Sequence, residues 1–222
     1  MKHVILGCIG ERRILVLKEK AVSEITLTVL LIGMLTITFD IQPVRAEPRT
    51  WTVDDDEPAD FHTIQEAINA ASPGDTIFVK AGIYYELVFV NKTIHLLGEG
   101  RVVTVIDGEV DVTANNVVLS GFSIGGFTAF VSSMKMWFGV RLSGANCTVS
   151  NNIVFNTGTG VWLLNSTDNV ISNNAVLYSI PYSVYVNDSI NNTISQNYIG
   201  SIESKGLILP LDYGIDLYRS SN

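Results

Sequence analysis

Four side chains that could contact a sugar chain recur at matching places in the sequence. They are Arg141, Trp162, Tyr185 and Asp216, and each directly follows an apolar residue of a repeating series (Val140, Val161, Val184 and Ile215). If that series faces the core, the four face outward along one side, because successive side chains of a strand point to opposite faces. Aromatic rings can stack on sugar rings, and Arg and Asp can hydrogen-bond to hydroxyl groups. The pattern predicts a ligand-binding stripe suited to a linear glycan; the alternative is an aromatic stack that adds only packing energy.

The elements that must position this stripe belong to an internal repeat. Similar segments begin at Leu119, Val149, Ile171 and Ile194, at intervals of 30, 22 and 23 residues, and the longer interval fits an insertion around Thr128–Phe138. A period near 22 with short β-type segments and Asn or Gly corners is typical of a solenoid. The Leu-x-x-Leu-x-Leu pattern of leucine-rich repeats is absent. We therefore predict an all-β parallel β-helix of about six coils.

The repeat also places one asparagine of each coil at the same corner. Asn152, Asn174 and Asn197 occupy equivalent positions. Asn tolerates the left-handed backbone that a sharp corner needs, and stacked amides can hydrogen-bond along the axis. We interpret these three residues as structural corner asparagines.

A single helix precedes the repeats. Thr63–Ala71 carries apolar residues on one face, Thr63 can cap it, and Glu66 has the spacing of a capping box. We expect this helix to lie just before the first coil and to cover that end of the core, because the open end of a β-helix exposes unpaired strand edges.

The first 46 residues have the features of a signal sequence for export. They contain six basic and four acidic residues, and an apolar run of thirteen, Ile25–Ile37, ends a few residues before Ala46 and Glu47. Such a short run between a basic flank and a small residue is typical of a secretory signal peptide, whereas a membrane span needs roughly 20 residues. We predict a signal peptide or signal anchor at 1–46, with a misassigned start as an alternative for 1–17. The protein is then exported, extracellular or at the cell surface, and contacts membrane only if this segment stays uncleaved.

The remaining chain divides into an acidic segment, 47–60, and the β-helix, 61–222. Gly214–Asn222 resembles Gly160–Asp168, the start of another repeat, so we expect the sequence to be truncated at its C-terminus. The asparagines of five Asn-X-Ser/Thr sequences are glycosylation candidates in an exported protein: Asn91, Asn146, Asn165, Asn187 and Asn191.

Composition narrows the class of protein. The 222 residues are 47% hydrophobic, which argues against disorder, and the net charge of −8 argues against a nucleic-acid partner. Two cysteines cannot form a disulfide scaffold, and no Cys/His spacing reads as a zinc site. Cleavage after Ala46 would leave Cys147 as the single cysteine.

The opening of the repeat region resembles a known superfamily. The segments Phe61–Ala71, Pro73–Ile77, Gly82–Glu86, Leu96–Glu99 and Val105–Gly108 are similar to the start of right-handed parallel β-helix proteins of the pectin-lyase-like superfamily. That superfamily includes pectin methylesterases and the exported NosD-like copper-associated proteins, and the Asn-rich coils look more like the NosD-type carbohydrate-binding and sugar-hydrolase repeats. The resemblance implies a right-handed helix and a glycan ligand but does not assign an activity.

Known catalytic motifs of these relatives are missing. We find neither the paired Asp and Arg segments of pectin methylesterases nor the Asn-Thr-Asp and Gly-His-Gly motifs of polygalacturonase-like enzymes. The acidic run Asp54–Glu57 could bind calcium but reads as a solvated segment. Copper would need soft ligands, for which the candidates are Met134, Met136, Cys147, His62 and His95. We predict no metal site and no cofactor, with calcium and copper as secondary candidates.

The sequence thus predicts an exported, non-catalytic β-helix that binds or scaffolds polysaccharide at Arg141, Trp162, Tyr185 and Asp216. Two alternatives stay open. One is a polysaccharide lyase, hydrolase or esterase whose catalytic coils lie beyond Asn222. The other is a NosD-like copper-associated export protein.

Overall fold

The computed structural model describes residues 18–20, 22–29, 47–126, 138–200 and 213–221. The chain divides into two units, 1–46 and 47–222. In the first unit residues 18–20 and 22–29 are helical, and none of the helices described is long and apolar enough to span a membrane. Most of the apolar run Ile25–Ile37 lies outside the described residues, so the signal segment stays a prediction. The predicted insertion around Thr128–Phe138 also lies outside them except for Phe138, which begins a strand.

The second unit is built from short strands that recur in groups of three. After β1 (Thr50–Val53) and the helix α1 (Ile64–Ala70), the first nine strands of the coils are β2 (Thr76–Val79), β3 (Gly82–Tyr84), β4 (Val88–Val90), β5 (His95–Gly98), β6 (Thr104–Asp107), β7 (Val110–Val112), β8 (Val118–Ser120), β9 (Ser123–Gly125) and β10 (Phe138–Leu142). The remaining nine are β11 (Thr148–Ser150), β12 (Ile153–Phe155), β13 (Thr159–Leu164), β14 (Val170–Ser172), β15 (Ala175–Leu177), β16 (Tyr182–Asn187), β17 (Thr193–Ser195), β18 (Tyr198–Gly200) and β19 (Tyr213–Tyr218).

These strands form three parallel sheets. Sheet A has the order β1-β2-β5-β8-β11-β14-β17, sheet B β3-β6-β9-β12-β15-β18, and sheet C β4-β7-β10-β13-β16-β19. Each coil from β2 onward therefore contributes one strand to each sheet. The prediction of a parallel β-helix of about six coils is confirmed.

Apolar side chains fill the space that the three sheets enclose. Matching residues of successive coils stack directly, as Val149 pairs with Ile171 in sheet A and Val154 with Val176 in sheet B. These four side chains are at most 1% exposed. Every coil therefore adds an apolar layer to one continuous core, and burial of that layer is the main favourable term holding the coils together.

The amino-terminal end contains a strand that was not predicted. Within the acidic segment 47–60, β1 extends sheet A by pairing in parallel with β2. Helix α1 lies between β1 and β2, directly before the first coil, as predicted. Its apolar residues Ile64, Ala67 and Ile68 are buried as expected.

A carboxylate from the coils completes the helix cap. Thr63 accepts a hydrogen bond from Glu66 N, as predicted, but the N–H groups of Ile64 and Gln65 donate to the two carboxylate oxygens of Glu86 at 2.8 and 2.9 Å. These N–H groups have no acceptor inside the helix, so the Glu86 carboxylate supplies one. Its negative charge also interacts favourably with the positive end of the helix dipole. The helix is thereby fastened to the turn between β3 and β4.

Asp75 fixes β1 in place. Its side chain accepts hydrogen bonds from Arg49 N, Trp51 Nε1 and Ser72 N at 2.8 to 3.0 Å. Burial by itself would raise the pKa of Asp75, but these three donors lower that pKa below its ordinary value because they stabilise the charged carboxylate. The ionised Asp75 carboxylate therefore holds β1 in place through these three hydrogen bonds.

The corner asparagines form a ladder inside the helix. Asn152 and Asn174 are buried, and the backbone N–H of Asn152 donates to Asn174 Oδ1 at 3.0 Å while that of Asn174 donates to Asn197 Oδ1 at 2.9 Å. The side-chain amide of Asn174 also donates to Val149 O at 2.9 Å. Buried polar groups that would otherwise be unpaired are satisfied from the next coil.

The backbone of this corner corrects one detail of the prediction. The left-handed residues are the preceding ones, Asn151, Asn173 and Gln196, with φ of 55°, 57° and 57°. The left-handed turn leaves these three side chains outside, and the residue that follows points inward. Turn conformation and ladder hydrogen bonds are therefore carried by adjacent residues rather than by one.

A second ladder of the same kind was not predicted. It joins Cys147, Asn169 and Asn192: Cys147 N donates to Asn169 Oδ1 at 2.8 Å and Asn169 N to Asn192 Oδ1 at 3.0 Å. Cys147 stands where the next coils have asparagine, and its Sγ is 3.4 Å from Val117 N, which donates to it. Burial raises the pKa of this thiol, so Cys147 is a protonated part of the core.

Candidate functional site

The predicted stripe lies along the outer face of sheet C. Arg141 on β10 pairs with Trp162 on β13, Trp162 with Tyr185 on β16, and Tyr185 with Asp216 on β19. Three of the apolar neighbours, Val140, Val161 and Val184, have no exposed surface and face the core, whereas Ile215 on the last strand is 49% exposed. The four residues of the predicted stripe are half-buried and are spaced by about 4.8 Å, the distance between neighbouring strands. We call these four residues the aromatic stripe.

Close ring contacts give the stripe a fixed shape. The rings of Trp162 and Tyr185 have centroids 6.1 Å apart with an angle of 39° between their planes. Tyr185 also stacks on Tyr182 at 4.7 Å and 17°, and Trp162 meets Phe138 edge to face at 6.4 Å. Such contacts restrict the side-chain rotamers, so the ring faces are organised before any ligand arrives.

Strand β13 is irregular at Gly160, a position we call the glycine bend, because Gly160 and Val161 are buried in succession and the alternation of inward and outward side chains is interrupted. Gly160 lies within β13 where a Cβ would come 2.3 Å from Val176 Cγ1 and 2.4 Å from Ser183 O. Only glycine fits this close approach of the backbone to the core. Thr159 and Tyr182, in register just before the bend, pair across neighbouring strands beside the stripe, which explains how Tyr182 reaches Tyr185.

Arg141 has a partner that the sequence did not reveal. Its Nε donates to Asp111 Oδ1 at 2.9 Å and its Nη2 donates to Asp111 Oδ2. This hydrogen-bonded pairing raises the pKa of Arg141, which stays protonated, and the adjacent carboxylate offsets its positive charge. The guanidinium also lies over the Phe138 ring, 4.9 Å from its centroid. Arg141 therefore extends the flat surface of the stripe and keeps three of its five N–H groups for other partners.

Several residues of this face were missed by sequence reasoning. Phe89 and Asp111 continue the same row toward the amino terminus, and Phe138 and Tyr182 flank it. A signal for the first two was present in the sequence, because Phe89 and Asp111 each follow an inward valine of a Val-x-Val triplet. Phe138 and Tyr182 precede the positions on β10 and β16 that correspond to the glycine bend, where alternation is interrupted.

Buried polar atoms of this face lack partners. Among the described residues, Trp162 Nε1 and Asn187 Oδ1 are buried without a hydrogen bond. Both lie on the outer side of sheet C, two positions apart along adjacent strands.

The five glycosylation candidates differ in exposure. Asn91, Asn146, Asn165 and Asn191 are exposed, whereas Asn187 is half-buried in β16. An oligosaccharide needs an exposed acceptor amide, so Asn187 is the least suited of the five. Glycosylation of the others stays a prediction.

Residues considered as metal ligands lie far apart in the fold. His62 is exposed with Nδ1 2.9 Å from Asp54 O, His95 is exposed on sheet A, and Cys147 is buried in its ladder. Met134 and Met136 lie outside the described residues. Within the described part of the chain, Asp54, Asp55 and Asp56 alone form a group of three or more potential ligands. Asp54 is half-buried, Asp55 and Asp56 are exposed, and exposed acidic groups are common without a bound ion.

Comparison with known proteins identifies the family. A family model described as "Periplasmic copper-binding protein (NosD)" matches residues 68–222. The chain belongs to the NosD family. The match begins within α1 and includes every strand of the six coils, so the aromatic stripe and both asparagine ladders lie inside the region that defines this NosD-family member.

Solved structures share the fold at low sequence identity. Pectin methylesterase from carrot superposes with a TM-score of 0.55 at 14% identity, covering 79% of this chain and 71% of that one. Alginate lyase from Paenibacillus sp. str. FPU-7 gives a TM-score of 0.51 at 17% identity, with coverages of 68% and 58%. Escherichia coli ybhc gives 0.53 at 13%, with 73% and 58%. No curated protein sequence matches this chain. The likenesses establish a pectin-lyase-like β-helix fold.

Proposed function

We propose that this NosD-family protein binds a linear glycan on the aromatic stripe of sheet C and does so without catalysis. The observation that carries the proposal is the register of sheet C, which aligns Trp162 and Tyr185 on adjacent strands with half-exposed rings. Two rings about one strand spacing apart offer successive apolar faces to a chain of sugar rings that runs along the helix axis. The polysaccharide enzymes among the structural neighbours support a glycan as ligand.

Purely structural packing is the competing explanation, and exposure argues against it. Rings that serve only to pack are covered by neighbouring side chains, whereas Trp162, Tyr182 and Tyr185 keep part of their surface in solvent at the centre of the sheet. Burial raises the pKa of Tyr185, which therefore keeps its proton at neutral pH and can donate a hydrogen bond. A half-exposed aromatic surface with polar edges suits a sugar chain.

The carboxylates of this row favour binding over hydrolysis. Two-carboxylate glycoside hydrolysis needs the acids about 5 to 9.5 Å apart. Asp111 and Asp216 stand on β7 and β19, separated by four strand spacings, or about 19 Å. Asp111 is also held by Arg141. These two acids cannot attack the same glycosidic bond.

Copper, which the family description names, is not supported by the donors that the structure describes. His62, His95 and Cys147 belong to different parts of the fold, and the one grouped set offers only carboxylate oxygens. Copper sites in proteins favour imidazole and sulfur ligands in close proximity. The described residues therefore do not fit a copper site.

Export is part of the proposal. The periplasmic description of the family and the boundary of the folded unit at Glu47 support a leader that ends at Ala46. Expressed with its leader in a bacterial host, the mature protein is expected to begin at Glu47, as amino-terminal sequencing of the periplasmic fraction would show. A protein that stays in the cytoplasm would contradict export, and a membrane-bound protein that keeps residues 1–46 would show an uncleaved anchor instead of a cleaved leader.

The direct test of glycan binding is affinity electrophoresis in gels containing soluble neutral polysaccharides, namely mixed-linkage β-glucan, galactomannan and xylan. The protein should be retarded by at least one of them. Changing Trp162 and Tyr185 to alanine should abolish the retardation.

A further inference from the structure

A second groove lies away from the aromatic stripe, at the corner between sheets A and B. It has a volume of about 710 Å³ and is lined mainly by Arg101, Asn151, Asn173, Ala175, Gln196 and Tyr198. Sheet C contributes none of these residues. The groove runs across three successive coils, because Asn151, Asn173 and Gln196 hold the same corner position in each.

The corner backbone presents a row of outward amides to this groove. Asn151, Asn173 and Gln196 have left-handed backbones, which leave their side chains outside while the next residue enters the internal ladder. The backbone N–H groups of Asn151 and Asn173 are bonded to the following coil at 3.3 Å. Their three side-chain amides make no hydrogen bond to the other described residues. Repeated at about 4.8 Å, they form a line of free donors and acceptors.

Arg101 brings an uncompensated positive charge to the groove. The turn that carries it is fixed because Ser123 Oγ donates to Arg101 O at 2.7 Å, and its Nη1 reaches Asn173 O at 3.4 Å. The single salt bridge among the described residues is Arg141–Asp111, so Arg101 has no carboxylate partner there. The chain as a whole is acidic. A guanidinium with free N–H groups beside a row of amides is a site for an anion.

Tyr198 forms the apolar side of the groove. Its side chain is 68% exposed, and it pairs in sheet B with Ala175, whose small side chain leaves space beside the ring. An exposed ring next to amides and a cation can stack on the face of a sugar while the polar groups bind its hydroxyl and acidic substituents. A flexible polyanion without sugar rings could interact only with the positive charge of Arg101 and could not stack on Tyr198.

We propose that this groove binds an acidic polysaccharide, with Arg101 pairing with a carboxylate of a uronic acid, Asn151, Asn173 and Gln196 bonding hydroxyl groups, and Tyr198 stacking on a sugar ring. The site is separate from the aromatic stripe and does not depend on it. Because the whole protein is acidic, it repels such a polymer at long range, so binding has to come from this local set of groups.

Isothermal titration calorimetry at about 0.15 M salt, where charges are screened beyond about 8 Å, tests the proposal with polygalacturonate and its fully methyl-esterified form. The two polymers share one backbone and differ at the carboxyl group, where the methyl ester removes the negative charge and adds a methyl group. The Trp162→Ala, Tyr185→Ala double variant serves as the parent protein, so that the stripe does not contribute. We expect the acidic form to bind roughly tenfold or more tightly than the ester, and Arg101→Gln to lose about that factor, as for a charge-assisted hydrogen bond.

Two controls separate the groove from general charge effects. Arg219→Gln removes the same charge from an exposed arginine on the last coil and should leave binding unchanged. Polyacrylate, a polyanion without sugar rings, should bind more weakly than polygalacturonate. Equal binding of ester and acid, unchanged binding by the Arg101→Gln variant, equal loss in the Arg219→Gln variant, or polyacrylate binding as tight as polygalacturonate would each overturn the proposal.

Discussion

Replacing Asn174 by alanine is expected to lower the free energy of unfolding by about 2–5 kcal/mol, because each buried donor or acceptor left without a partner costs about 1–3 kcal/mol. Asn174 is 1% exposed and serves both neighbouring coils. Its Oδ1 accepts from Asn152 N, and its Nδ2 donates to Val149 O. An alanine removes both of these hydrogen bonds from the core, where water cannot replace the lost amide.

The adjacent asparagine supplies a matched control. Asn173→Gly removes a side-chain amide one residue away, but that side chain is exposed and glycine tolerates its φ of 57°. We expect this variant to cost less than about 1 kcal/mol. Urea denaturation followed by far-ultraviolet circular dichroism measures both. Equal stabilities of the two variants would show that the ladder contributes nothing beyond the turn.

Removing the two rings of the aromatic stripe should have the largest effect on glycan binding. Truncation of an aromatic anchor at an interface typically costs about 2 kcal/mol or more, which is roughly a 30-fold change in Kd. Trp162→Ala and Tyr185→Ala should each weaken binding of the retarding polysaccharide by that factor, and the double variant should show no retardation in affinity gels. Trp162→Phe keeps a ring and should retain part of the affinity.

Thermal unfolding measurements, together with a control variant at a distant aromatic residue, distinguish a binding role of the stripe from a packing role. Trp162 contacts Phe138 and Tyr185, so its removal also lowers stability. Tyr85 is 69% exposed on a turn away from the stripe, and Tyr85→Ala should leave retardation unchanged. If the stripe only packs, the alanine variants will melt earlier yet migrate through polysaccharide gels like the parent protein.

The repeat carried most of the information about the fold. Residues one period apart occupy the same place in successive coils, so the spacing of Val149, Ile171 and Ile194 predicted their register correctly. The same logic aligned Arg141, Trp162, Tyr185 and Asp216 across four strands. Periodicity works here because stacking converts a sequence interval directly into a spatial contact.

Features that do not repeat could not be predicted in this way. The contacts of Glu86 with α1 and of Asp111 with Arg141 join unlike residues at intervals set by turn geometry and side-chain reach. No repeated segment of the sequence corresponds to strand β1, so periodicity could not predict it. The left-handed corner residue was ambiguous because two of the corners carry Asn-Asn, although the third pair, Gln196-Asn197, shows that only the second position keeps its asparagine.

Hydroxyl-radical footprinting with mass spectrometry tests the central claim, that a glycan lies on sheet C, most directly. At saturating concentrations of the retarding polysaccharide, oxidation of Trp162 and Tyr185 is expected to fall several-fold. Trp51, half-buried in sheet A with its Nε1 bonded to Asp75, is an internal reference whose oxidation should not change. Unchanged oxidation of Trp162 and Tyr185 in the complex, or protection of Trp51 to the same degree, would contradict binding at the aromatic stripe.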